Sequence, residues 1–308
     1  MKWCLSIEKW ALEHQGVELE PDPDPDPTVF RRNVERRREA VRACFPDVAY
    51  EWYNDEPSPP AVFLGNWMLY GEAWGAELSP NAAITLSHPW KELETPEEVD
   101  ALPIPDVRTL PSYAEKLQRH ETLSQRFADA GFRQGVAFAL GNWRQAVASP
   151  LNMVLALVGD ELFIRMYTHP DVVHAYFRKA LQWFDHIHEV KREVEGADFT
   201  YGHLSDCANT MLSPELFERF VLPVNQQFAR RYGPLESHNC GPVTHLLEGI
   251  GKYGPFKYVE IGWGTELAEA RTHFGEAMLL PRFGVEFMQF YTPDEAYERA
   301  TTMLRHCS

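Results

Sequence analysis

Apolar positions recur along this chain at two spacings, and their alternation lays out the elements. Trp3, Ile7, Trp10 and Leu12 sit at helical intervals and predict a short helix over 3–15. Thr28 is a suitable N-cap for a second helix running to about Phe45. Ala49-Tyr50-Glu51-Trp52-Tyr53 alternates as a strand does. The stretch from there to Trp90 is rich in aromatics and glycine (Phe63, Trp67, Tyr70, Trp74, with Gly65, Gly71 and Gly75) and predicts short strands and irregular loops. Such aromatics serve equally as pocket lining or as ordinary core.

Thr95-Pro96-Glu97-Glu98 carries a helix-start pattern, and 111–130 reads as an amphipathic helix. Gly135-Val136-Ala137-Phe138-Ala139-Leu140 is a continuous apolar run, as a strand covered on both faces requires. Helical patterns follow over 149–166 and 170–194, then a strand over 198–204 and a helix opened by Ser213-Pro214. Later come a strand over 257–262, a helix over 265–274, a strand over 277–283 and a helix over 292–306. From about residue 134 each strand is followed by a helix, which argues a parallel sheet with right-handed crossovers.

One stretch divides the chain. Pro21-Asp22-Pro23-Asp24-Pro25-Asp26-Pro27 can form neither a helix nor a central strand, so it predicts a stiff, extended linker. Residues 1–27 then form an N-terminal arm with its linker, and 28–308 the body. A Trp-bearing arm on such a linker docks on its own body or on a second subunit, which suits a homodimer.

Composition narrows the partners. Of 308 residues, 29 are basic and 45 acidic, for a formal net charge of −16. Nucleic acid and anionic membrane surfaces are excluded as partners, since both call for clustered Lys and Arg. The one basic cluster, Arg31-Arg32 with Arg36-Arg37-Arg38, is interleaved with Glu35 and Glu39 and reads as a solvated helix face. The start of the chain carries charges where a signal peptide needs an apolar run, and no apolar run reaches membrane-spanning length. Five cysteines, widely spread, fit a cytoplasmic protein whose thiols are free for metal or for chemistry.

The candidate chemistry centres on Ser237-His238-Asn239-Cys240-Gly241-Pro242. It follows an extended run and leads into Val243, Leu246, Leu247 and Ile250 at helical spacing, so it is a strand end and a turn. On an extended segment His238 and Cys240, two apart, project to one side. A nitrogen and a thiolate on one side make half of a zinc site. Taken alone, the same cysteine is equally a small buried hydrophobe. His203, Asp206 and Cys207 end the preceding strand, and Asn142, Tyr201, Glu260 and Arg282 stand at or near other strand ends.

Several phrases together resemble the uroporphyrinogen decarboxylase superfamily. These are Glu94-Thr95-Pro96-Glu97-Glu98-Val99-Asp100-Ala101-Leu102-Pro103, Asp206 followed by Met211-Leu212-Ser213-Pro214-Glu215-Leu216-Phe217, His238-Asn239-Cys240-Gly241, and Glu260-Ile261-Gly262-Trp263-Gly264-Thr265-Glu266-Leu267. The resemblance implies a (β/α)8 TIM barrel with extra N-terminal helices and a cleft at the carboxyl end of its strands. The decarboxylase proper carries an Arg-rich N-terminal segment for its poly-carboxylate substrate, whereas Glu51-Trp52-Tyr53-Asn54-Asp55-Glu56 is acidic. His-x-Cys at this strand end is instead similar to the zinc-dependent, cobalamin-linked methyltransferase branch.

That likeness implies zinc on His238 and Cys240 and a small thiol or similar soft nucleophile as acceptor. The methyl group would come from a corrinoid, a methylcobamide carried by a partner corrinoid protein. Asp206, His238 and Cys240 would be the catalytic residues, and Asn142, Tyr201, His203, Glu260 and Arg282 the substrate-binding ones. In that branch a further Cys arrives from a last strand beyond the helix at 292–306, whereas this sequence ends at Cys307-Ser308. Either an N-terminal strand closes the barrel, or the sequence is truncated, or the third ligand is one of His203, Asp206, Cys207 and Glu260. Two other readings follow from the same resemblance: a metal-free decarboxylase-like lyase centred on Asp206, with His203 or Tyr201 as acid or base, and a non-catalytic partner that holds a tetrapyrrole or corrinoid.

Overall fold

Proline starts helix after helix in this chain, because its fixed φ suits the first turn and its missing N–H has no partner there to lose. The computed structural model describes residues 7–46, 58–64, 66–79, 85–140, 149–195, 202–282 and 291–307. Its helices include α1 (Ile7–Gln15), α2 (Pro27–Cys44), α3 (Asn66–Ala73), α4 (Pro96–Ala101), α5 (Pro111–Asp129), α6 (Pro150–Val158), α7 (Glu161–Thr168) and α8 (Pro170–Glu195). Further along are α9 (Pro214–Leu216), α10 (Leu222–Tyr232), α11 (Leu247–Gly251), α12 (Leu267–Phe274) and the C-terminal helix Pro293–Cys307. Polar caps accompany the prolines. Thr95 and Glu98 form a reciprocal capping box on α4, and the Ser149 and Ser213 hydroxyls accept from Asn152 and Leu216 N–H groups. The cap of α2 is Asp26 rather than Thr28: with Pro27 at the first helical position, the Asp26 carboxylate accepts from the Thr28 and Val29 N–H groups.

The chain packs as two compact units, residues 1–62 with 115–138, and residues 63–114 with 139–308. In the first unit the N-terminal arm docks on its own chain. Ala11 of α1 is buried against Ala40 and Val41 of α2, with Leu12, Val17, Cys44 and Phe45 around them. The Pro-Asp stretch, expected to be extended, bends at Pro23 and Asp24, with the Asp26 N–H donating to the Asp22 carboxylate at 2.9 Å, and it is fastened to α5. Arg126 donates to the Pro25 carbonyl at 3.0 Å and pairs with Asp24 at 2.9 Å, while Arg119 reaches the Pro23 carbonyl at 3.2 Å. The expected strand at 49–53 lies outside the described residues.

In the second unit the aromatic stretch contains a helix, α3, where short strands and loops were expected. Its rings pack as core: Trp74 meets Trp90 and Trp183 edge-on at 5.1 and 4.9 Å, and Trp90 stacks on Tyr176 at 5.8 Å. The helix expected over 149–166 is broken in two. Gly159 caps α6 at φ +74°, a conformation that side chains other than glycine rarely take, and α7 starts afresh. α8 carries a broad apolar face, with Tyr176, Phe177, Trp183 and Phe184 all buried.

The sheet that positions the site has four parallel strands in the order β3 (Gly202–Ser205), β4 (Leu235–His238), β5 (Phe256–Ile261) and β6 (Met278–Pro281). Helices cross over between successive strands, α9 and α10 after β3, α11 after β4 and α12 after β5, as parallel neighbours require. A π-helical segment, Phe217–Val221, joins α9 to α10. Two shorter strands, β1 (Val62–Leu64) and β2 (Phe138–Leu140), pair separately. Register aligns Ser205 with His238 and His238 with Glu260 at the carboxyl ends. One step back, His203 aligns with Glu236 and Glu236 with Tyr258. Positions two apart share a face, so these rows form successive layers on one side of the sheet.

Candidate metal centre

The end of β3 and the end of β4 each release a short loop, and the two loops bring their cysteines together. Ser205 and His238 are register partners, so Cys207 and Cys240 each lie two residues beyond a paired position. The ladder continues past the strands: the Asp206 N–H donates to the His238 carbonyl at 2.8 Å, and the Asn239 N–H to the Glu260 carbonyl at 3.2 Å. In the result the Cys207 and Cys240 Sγ atoms are 3.0 Å apart, and His238 Nε2 is 3.0 Å from Cys240 Sγ. These three ligand atoms all lie within 4.8 Å of one another. His238 is buried, Cys207 half-buried and Cys240 exposed, so the cluster opens to solvent on the Cys240 side.

The loops are held by close packing and by hydrogen bonds. The Asn152 side chain of α6 donates to the Ser205 carbonyl at 2.6 Å and accepts from the Ala208 N–H at 3.1 Å, gripping the turn that carries Cys207. Asn209 donates to Asn239 at 3.1 Å, both fully buried, tying the Cys207 loop to the Cys240 loop. The next pair of loops is tied likewise, by Val243 N–H to Thr265 Oγ1 and Glu266 N–H to Thr244 Oγ1, each 3.0 Å. Glycine is required where the loops touch. A Cβ on Gly262 would lie 2.1 Å from the Gly241 carbonyl oxygen and 2.7 Å from that of Asn239. A Cβ on Gly241 would lie 2.8 Å from Thr210 Cγ2.

His238 is gripped from its other nitrogen. Nδ1 is 2.6 Å from Glu260 Oε2, and the second oxygen of Glu260 accepts from Arg282 Nε. With the proton on Nδ1, donated to Glu260, Nε2 is left as a lone-pair donor facing the sulfurs. This is the arrangement in which a carboxylate orients a metal-binding imidazole. The charges agree. Contacts with Cys207 and then His238 lower the Cys240 thiol to about 4, while the same sulfur contact and burial raise Cys207. Burial works to lower His238, but hydrogen bonds with Cys240 and Glu260 bring it up to about 9. Burial opposes ionisation of Glu260, yet the His238 hydrogen bond and the Arg282 charge hold it below the usual carboxylate range.

The remaining sequence candidates fall in different places. Asp206 is fully buried; its Oδ2 accepts from Asn225 of α10 at 3.1 Å and from the Tyr253 hydroxyl at 3.4 Å, and burial pushes its pKa up to about 6. His203 sits one layer below His238, also buried, with Nε2 3.0 Å from Ser205 Oγ and Nδ1 3.8 Å from Glu236. Both side chains are shielded from solvent. Glu260 and Arg282, expected as substrate contacts, bond to each other and, through Glu260, to His238. Asn142 and Tyr201 lie outside the described residues. Asn152, Asn209 and Asn239 were not singled out by the sequence, since a loop-tying asparagine has no spacing signature.

The donor set suits zinc, which takes thiolate and imidazole ligands in a tetrahedral array. Two sulfurs and one nitrogen leave a fourth position for an exchangeable ligand. Residues 145–306 match the family described as Uroporphyrinogen decarboxylase (URO-D). Among solved structures, a methyltransferase from Methanosarcina mazei shares the fold with a TM-score of 0.54, at 15% identity over 97% of this chain and 80% of that one. No curated protein matches the sequence. The parallel strands with helical crossovers, the matched residues and the shared fold lead to one assignment: the chain belongs to the uroporphyrinogen decarboxylase (URO-D) family and has the (β/α)8-barrel fold of that family.

Proposed function

We propose that the protein is a zinc-dependent methyltransferase that moves a methyl group from a corrinoid to a small thiol. The observation that carries this reading is the convergence of Cys207, His238 and Cys240 at the carboxyl ends of two neighbouring parallel strands, where barrel enzymes of this kind work. Zinc bound there would lower the pKa of a thiol in the open position and hold it as thiolate at neutral pH. The chain's own residues have separate tasks. Cys207 and Cys240 supply two thiolates, and His238 supplies a neutral nitrogen whose tautomer Glu260 sets. Arg282 holds Glu260 in place. Asp206 and His203, enclosed beneath the site, brace the strand ends rather than meet substrate.

The acceptor sulfur would take the methyl carbon from the donor corrinoid, which would keep the electron pair of the broken bond. A metal-free lyase would need Asp206 or His203 open to substrate, and both are buried. The test is elemental analysis of protein purified without chelator, followed by assay with methylcobalamin and a panel of small thiols. One zinc per chain and zinc-dependent thioether formation are expected. Turnover that survives complete removal of metal would overturn the proposal.

A further inference from the structure

The cysteine pair has a second use that its spacing supports independently of any metal. In a tetrahedral zinc site with Zn–S bonds of about 2.3 Å, two sulfurs stand about 3.8 Å apart. In a disulfide they are about 2.05 Å apart. Cys207 and Cys240 Sγ, at 3.0 Å, lie roughly midway between the two arrangements. The two residues lie at equivalent positions beyond adjacent parallel strands, each two residues past a paired position. Cys240 is exposed and Cys207 half-buried, so the sulfur that meets an external disulfide first is that of Cys240.

We propose that Cys207 and Cys240 form a reversible intramolecular disulfide, making the pair a thiol-modification site that excludes metal when oxidised. The oxidant is a small-molecule disulfide. The Cys240 thiolate attacks it, forming a mixed disulfide and expelling one small thiol. Cys207, losing its proton to solvent, then attacks the Cys240 sulfur, forming the Cys207–Cys240 bond and expelling the second thiol. Two protein thiols are oxidised and one external disulfide is reduced to two thiols, so electrons and atoms balance. Both thiolates are consumed, and only His238 of the three ligands is left for a metal. The proposal rests on the metal reading only for that last consequence.

The test is incubation of the metal-free protein with oxidised glutathione, read by intact mass and peptide mapping. The expected product has lost the mass of two hydrogens and yields one cross-linked pair of peptides containing Cys207 and Cys240. In Cys207→Ser protein, Cys240 is expected to stop at the glutathione adduct. Zinc at about a hundred times its Kd slows the reaction about a hundredfold, because only the metal-free fraction reacts. A reductant restores both thiols and zinc binding. If parent protein accumulates only glutathione adducts, with no internal bridge, the disulfide proposal fails even where zinc binds. If the bridge forms but the reduced protein takes up no zinc, the disulfide stands and the methyltransferase reading loses its metal.

Discussion

Replacing Glu260 with Gln is expected to weaken zinc binding about 10- to 100-fold while leaving the fold intact, the usual effect of losing an outer partner of a metal ligand. That corresponds to about 1.4–2.7 kcal/mol of binding free energy. The structure gives the reason. Glu260 accepts on both oxygens, from His238 Nδ1 at 2.6 Å and from Arg282 Nε. A glutamine amide has one acceptor oxygen and one donor nitrogen. If its oxygen serves His238, its amide group points a donor at a guanidinium that has only donors to offer. If it serves Arg282, Nδ1 of a buried imidazole meets another donor. Either way the charge that favours a strongly donating Nε2 is gone. Arg282→Gln should cost less, under about fivefold, because that arginine is half exposed and such pairs contribute about 0–1 kcal/mol. The assay is competition for zinc against a chromogenic chelator at neutral pH, with thermal denaturation of the metal-free proteins as a control for folding. Unchanged affinity in Glu260→Gln, or a larger loss in Arg282→Gln, would refute the reasoning.

Gly262→Ala places a carbon 2.1 Å from the Gly241 carbonyl and must displace the loop that carries Cys240. A cost of about 1–3 kcal/mol in stability is expected, with a parallel loss of zinc affinity; denaturant titration and chelator competition together check it, and unaltered metal affinity would contradict the close loop contact. His188 is buried and stacked on Tyr232 at 4.0 Å, and burial depresses its pKa from 6.5 to about 3. The folded state therefore favours the neutral ring, so the stability it provides is present above pH 6.5 and lost as pH falls towards 3. Between about pH 6.5 and 4 the loss is about 3 kcal/mol. His188→Phe keeps the stacked ring and removes the titration, so its denaturation midpoint should fall less on acidification than that of the parent; an equal fall would remove His188 from the account.

The sequence carried the sheet more plainly than the site. Strands at β3 to β6 were legible because extended segments alternate there with helical patterns, and β6 (Met278–Pro281) is also a short apolar run. Helix breaks were harder to see. Gly159 lies within an apolar helical pattern, and periodicity alone does not report that its φ turns positive. Thr28 looked like a cap because the Pro-Asp repeat hides which aspartate the helix will use; Asp26 takes the role because Pro27 fits the first turn. His238 and Cys240 could be read as a pair because extended spacing places them on one side. Cys207 could not be chosen over His203, Asp206 and Glu260 from spacing, since the choice depends on register between strands separated by the whole α9–α10 crossover. The pairing of Ser205 with His238 settles which residues stand beside Cys240. Glu260 and Arg282 were legible as polar residues at strand ends, but only the distances show that they act on a histidine.

The claim on which the account rests is that one metal ion is shared by two sulfurs and one nitrogen from this chain. Zinc K-edge X-ray absorption of protein loaded with one equivalent tests it most directly. The account predicts two sulfur scatterers at about 2.3 Å and one imidazole nitrogen at about 2.0–2.1 Å, and one sulfur fewer in Cys207→Ser. A parent spectrum with a single sulfur, or a Cys207→Ser spectrum identical to the parent, would contradict it.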